Sequence, residues 1–134
     1  MVERFNPATV HAPDGYSHVT ISEVGRLAHL AGQCPVDLDD KVVGAPGDFA
    51  AQTEQVVVNC LAVLEAAGAK PSDVVRSVVY VVSPDSLVLG GVWAQLMASP
   101  LADAFTTAST LLGVASLGYS GQLIEIDLTA ALPS

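Results

Sequence analysis

The segment Asp73-Val74-Val75-Arg76-Ser77-Val78-Val79-Tyr80-Val81-Val82 decides how the rest of the chain is read. Its valines cluster around Tyr80, and β-branched side chains pack well on a pleated surface but crowd a helix. Apolar residues occupy parts of both faces, as in a central strand. Immediately after it, Ser83-Pro84-Asp85-Ser86 has the chemistry of a helix start: a hydroxyl cap, proline at the first helical position, then an acid. The second helix is expected to run to Leu96 or Met97 and end before Pro100, with Gly90-Gly91 weakening its middle. Before the strand, Phe49, Thr53, Val57, Cys60, Leu61, Leu64 and Ala67 recur at helical spacing. Asp48 is placed to cap that first helix, and Gly68 with Pro71 to stop it.

Strands flank this βα framework on both sides. His18 to Val24 alternates partially, Val24-Gly25-Arg26 reads as a tight turn, and Leu27 to Ala31 supplies a second strand, so the two together predict a hairpin. Asn6 to Gly15 is rich in turn formers. Asp37 to Gly47 is an acidic, glycine-containing loop with room for a short extra strand. Phe105 to Ala115 and Gln122 to Ala130 complete the set. In the last strand Leu123, Glu125, Asp127 and Thr129 share one face, opposite Ile124, Ile126 and Leu128. The order ββαβαββ predicts one α/β (α+β) domain over residues 1–134, with two helices on one face of a mostly antiparallel sheet. The other sheet face is not uniformly polar, and self-association is the expected way to cover it.

Composition narrows the function. Charged residues are 14% of the chain against about 25% in ordinary soluble domains, and apolar residues are 51%. The formal net charge is -9, from 5 basic and 14 acidic residues, which argues against nucleic-acid or anionic-membrane partners. After Arg76 there is no Lys or Arg at all. The first residues carry no signal-like apolar stretch, so a cytoplasmic location is expected. Cys34 and Cys60 form no CxxC pair and read as reduced thiols; with His11, His18 and His29 they complete no familiar zinc pattern. No GxxxxGK[ST] or GxGxxG segment marks a nucleotide phosphate site, so neither metal nor cofactor is expected.

Several fragments in order resemble the RidA family, also called YjgF/YER057c/UK114. Leu30-Ala31-Gly32-Gln33-Cys34-Pro35 is similar to its small-Gly-Gln-aliphatic-Pro signature. Ala51-Gln52-Thr53-Glu54-Gln55 with Asn59 to Gly68, then Asp73 to Val81, and finally Ile124-Glu125-Ile126-Asp127-Leu128-Thr129-Ala130 resemble its first helix, central strand and last strand. The resemblance spans Asp14 to Leu132. It implies a chorismate-mutase-like fold, a homotrimer, and small-molecule pockets between subunits. Catalytic members hydrolyse 2-enamines or 2-imines to 2-oxoacids and ammonia, without metal or organic cofactor.

The departure from the family pattern matters as much. Catalytic members hold the substrate carboxylate with an arginine at the start of the penultimate strand, where this chain has Ser109 within Thr107-Ala108-Ser109-Thr110. A guanidinium is a planar bidentate clamp, whereas serine offers one uncharged hydroxyl proton, suited to a neutral carbonyl or hydroxyl. Glu125 corresponds to the family acid that orients or activates water, and Asp127 shares its strand face. Tyr16 matches a tyrosine at the pocket entrance. Gly32 and Cys34 occupy a ligand-contacting loop, and Tyr119 lies in the altered turn Gly118-Tyr119-Ser120-Gly121. Trp93 reads as packing.

These residues lead to a homotrimeric, small-metabolite-binding member that has diverged from the arginine-containing deaminases. If it retains catalysis, neutral or weakly acidic imines are its expected substrates. An enamine/imine deaminase with altered recognition and a non-catalytic regulatory or protein-interaction trimer are the alternatives.

Overall fold

The computed structural model describes residues 2–23 and 25–133. Its strands are β1 (Val2–Phe5), β2 (Val19–Ser22), β3 (Leu27–His29), β4 (Val74–Val81), β5 (Ala108–Gly113) and β6 (Ile124–Ala131). Helix α1 (Phe49–Ala67) precedes β4, and α2 (Ser86–Met97) follows it. Short 3-10 turns at Pro71–Asp73 and Ala102–Phe105 lead into β4 and towards β5. Four strands form one mixed sheet in the order β3-β6-β4-β5, in which β4 and β5 are parallel and the other pairs antiparallel. The α/β fold with two helices on one sheet face is the one expected.

Alternation sorts the sheet into two faces. Ile124, Ile126, Leu128 and Ala130 of β6 are buried with Val79 and Val81 of β4. Val56, Cys60 and Leu64 of α1, with Val92 and Leu96 of α2, close the same core. Each buried Leu, Ile or Phe side chain there contributes about 1.5–3 kcal/mol. The β6 residues between them, Glu125, Asp127 and Thr129, point to the face the helices leave uncovered.

The helix ends follow the sequence with one change. Asp48 Oδ1 accepts from Ala51 N at 2.9 Å, and Gly68 takes the left-handed conformation (φ 85°) that a side chain would strain. At α2 the cap is Asp85, not Ser83, and Pro84 lies outside the helix. Asp85 Oδ1 accepts from Leu87 N at 2.9 Å, while Ser83 Oγ accepts from Asp85 N at 3.0 Å. A carboxylate at the positive end of the helix is the stronger acceptor, which moves the start two residues on. Gly90 and Gly91 stay helical.

The expected β2–β3 hairpin is not formed among the described residues. Val24, the end of its first strand and part of its turn, lies outside them. β2 pairs antiparallel with β1, and β3 pairs with β6. The partner β1 was not anticipated, because four residues carry too little periodicity. Its Arg4 guanidinium donates to Ser72 O at 2.8 Å and Val74 O at 2.9 Å, tying the two-stranded ribbon to the start of β4. The short extra strand allowed for in the acidic loop is reduced to a single Val36–Val42 bridge. Among the described residues no helix is long and apolar enough to cross a membrane.

Candidate functional site

The uncovered face of β6 gathers a polar cluster. Glu125 Oε1 accepts from the buried Gln122 Nε2 at 3.1 Å and from the Cys34 thiol at 3.2 Å. Tyr80, opposite Glu125 across the β4–β6 ladder, donates its hydroxyl to Asp127 Oδ2 at 3.0 Å. Glu125 Oε2 takes no hydrogen bond among the described residues and lies against Gly32. A methyl group at Gly32 would overlap Oε2 and stand 2.8 Å from Asp127 Oδ1. Glycine is needed here for space, because its backbone faces two carboxylates at contact distance.

The loop that carries Gly32 and Cys34 is pinned from two sides. Gln33 N and O exchange hydrogen bonds with Ile126 O and N, at 2.8 and 3.1 Å. The Asn59 side-chain amide of α1 donates to Cys34 O and Val36 O, both at 2.9 Å. Burial, then the hydrogen bond and charge of Glu125, push the Cys34 thiol up to about 11 from its ordinary 9.0. It therefore stays protonated at neutral pH and serves Glu125 as a donor, not as a nucleophile. The bond to Asp127 likewise raises the Tyr80 hydroxyl above its ordinary value.

Tyr16 and Ser109 meet elsewhere, around a cavity of about 310 Å³ lined by Asp14, Tyr16, Trp93, Ser109 and Leu111. Trp93 packs against the core and Phe105, as expected, and also lines this cavity. Ser109 pairs with Ser77 across the β4–β5 ladder and accepts from its hydroxyl at 2.5 Å. Its own proton is directed at Thr107 O or Phe105 O, 3.0 and 3.2 Å away. The hydroxyl expected to donate to a ligand therefore has its proton committed to the backbone. Tyr119 is half-exposed in a separate shallow hollow with Val82 and residues 115–123, and its N–H donates to Gln122 Oε1 at 3.1 Å.

Within one chain the two groups do not converge. Ser77 and Val79 alternate with Val78 and Tyr80 on β4, so Ser109, beside Ser77, lies on the helix-covered face and Glu125, beside Tyr80, on the other. Sequence reasoning missed Gln122, Tyr80 and Asn59 as parts of the site. Gln122 was legible only as a strand start, Tyr80 as part of an apolar strand, and Asn59 as a polar helix position. A glutamine three residues before the family acid was the one available signal.

The endoribonuclease L-PSP family matches residues 7–132 of this chain. The chain belongs to that family. It is the RidA or YjgF/YER057c/UK114 group that the sequence fragments resemble. A Yersinia pestis protein of unknown function of the conserved Rid family is 38% identical, with a TM-score of 0.87 and 98% of both chains covered. RidA from the Antarctic bacterium Psychrobacter is 29% identical, with a TM-score of 0.63, covering 91% of this chain and 92% of its own. The 2-iminobutanoate/2-iminopropanoate deaminase of Escherichia coli K12 is 37% identical over 75 residues, 55% of this chain and 57% of that one. The chain spans about half the length of the curated relatives it matches.

Proposed function

We propose that this RidA-family chain is a cytoplasmic small-metabolite-binding protein whose site is completed between copies of a homotrimer, and that it hydrolyses imines without a strong anionic group. The observation that carries this reading is the state of Glu125: Oε1 is fixed by Gln122 and Cys34, while Oε2 takes no hydrogen bond from the described residues and lies beside Gly32. An oriented carboxylate with one free oxygen is suited to accept a proton from water. The water oxygen then bonds to the imine carbon while the C=N π pair moves to nitrogen, giving a carbinolamine. The proton taken by Glu125 passes to nitrogen, and loss of the hydroxyl proton as the C–N bond breaks leaves a carbonyl compound and an amine or ammonia.

Two observations support a shared site and an altered substrate. Ser109 and Glu125 occupy opposite sheet faces, so a pocket using both needs a second copy. Ser109 supplies no charge in place of an arginine, and lost charge-assisted hydrogen bonds are worth about 1.5–3 kcal/mol each. The net charge of -9 speaks against RNA as a substrate despite the endoribonuclease label of the family.

The test is a coupled assay with neutral and carboxylate-bearing imines, run beside sedimentation measurements. Turnover of the neutral imine by a trimer is the expected result. A monomer at micromolar concentration would remove the shared site. Saturable metabolite binding without turnover would favour a regulatory protein.

A further inference from the structure

We propose that the cavity lined by Asp14, Tyr16, Trp93, Ser109 and Leu111 selects a small organic cation, an ammonium or iminium with an apolar arm and no carboxylate. The inference rests on reading this cavity as the ligand pocket, and adds the charge of what it takes. Apart from the Trp93 indole N–H, a donor, the cavity's polar groups offer acceptors. Asp14 is solvent-exposed and has no hydrogen bond or ion pair among the described residues, so no protein cation is paired with its carboxylate. The Ser109 hydroxyl donates to a backbone carbonyl and accepts from Ser77, which leaves it one acceptor site and no donor for a ligand. The Tyr16 hydroxyl is already engaged with His11 Nε2 at 3.0 Å. Among the described residues no Lys or Arg lines the cavity; Arg76 lies next to Thr110 on the uncovered sheet face, bonded to its hydroxyl at 2.6 Å.

The aromatic lining favours the same charge. Trp93 is braced edge-on by Phe105 at 5.7 Å between ring centroids, and Tyr16 by His18 at 5.6 Å. Aromatic faces attract cations through their quadrupoles, Trp most strongly. Leu111 offers apolar contact for the ligand's arm. At about 310 Å³ the cavity stands near the lower end of small-molecule sites, roughly 300–1,000 Å³, which suits a one-ring ligand. An iminium carries its charge on the bond that water attacks, so a site that prefers it also favours the more electrophilic form of an imine.

Trp93 is the sole tryptophan, so its fluorescence reports this cavity directly. The intact protein is titrated with benzylammonium, benzyl alcohol and benzoate at a pH above the histidine range. Benzylammonium is expected to bind roughly 5- to 10-fold more tightly than benzyl alcohol, and benzoate most weakly. Asp14→Asn should erase most of that preference, and Asp14→Glu should retain it. Benzoate binding as tightly as benzylammonium, or a preference that survives Asp14→Asn, would overturn the cation proposal alone and leave imine turnover standing. Saturation by none of the three would overturn it together with the assignment of this cavity as the pocket.

Discussion

Gln122 holds Glu125 by a side-chain hydrogen bond of 3.1 Å, and the same amide nitrogen donates to Ile124 O at 2.9 Å. Its oxygen accepts from Tyr119 N, so the buried amide links the altered turn to the acid. Gln122→Leu keeps much of the volume but leaves a backbone N–H and a carbonyl unpaired. A loss of about 1–3 kcal/mol in denaturant unfolding is expected. A fall in imine turnover beyond the fraction unfolded would separate its positioning role from its structural one.

Gly32→Ala puts a methyl group into the space held by Glu125 Oε2. Displacing a strand carboxylate or the pinned loop should cost about 1–3 kcal/mol, as overpacking does. Thermal and denaturant melts measure it. Stability equal to the parent protein would mean that the two carboxylates yield freely.

Cys34 titrates near 11 and Cys60 near 12 in the folded chain, both held above the ordinary 9.0, chiefly by burial. The folded state therefore binds these protons more tightly than the unfolded one. Their stabilising contribution is complete below pH 9 and is lost as pH rises through 11 and 12. Cys34→Ser should flatten the decline in unfolding free energy between pH 9 and 11. Alkylation of native Cys34 should be slow at neutral pH and rise only in strong alkali.

Tyr80→Phe removes the hydrogen bond to Asp127. Phenolate absorbance should lose a component that titrates above pH 10, since Asp127 raises the Tyr80 value. The partly exposed bond is worth about 1 kcal/mol in stability. An unchanged alkaline titration would place the raised phenol elsewhere.

The legible parts of the fold were those with long, regular patterns. The period of α1, the valine run of β4 and the alternation of β6 each express one buried face, which hydrophobicity reports directly. The ribbon pairing of β1 with β2 was not legible, because four residues carry too little periodicity, and the Arg4 bonds that tie the ribbon to Ser72 and Val74 reach far along the chain. Similarly, Ser83 and Asp85 are both competent caps, and only the geometry decides that the serine holds the aspartate. At the site, Glu125 and Gly32 were visible through family fragments. Their mutual contact was not, since a glycine's missing side chain leaves no sequence trace of what fills its place. Placing Ser109 and Glu125 on opposite faces required the register of β4 with both its neighbours.

The most direct measurement is the hydrolysis rate of a neutral imine by the parent protein and by Glu125→Gln, with assembly of both checked by sedimentation. Measurable turnover by the parent trimer, falling roughly 10²- to 10⁴-fold in an equally assembled Glu125→Gln protein, is the expected result. No turnover by the parent, or an undiminished rate in the variant, would contradict Glu125 as the group that activates water.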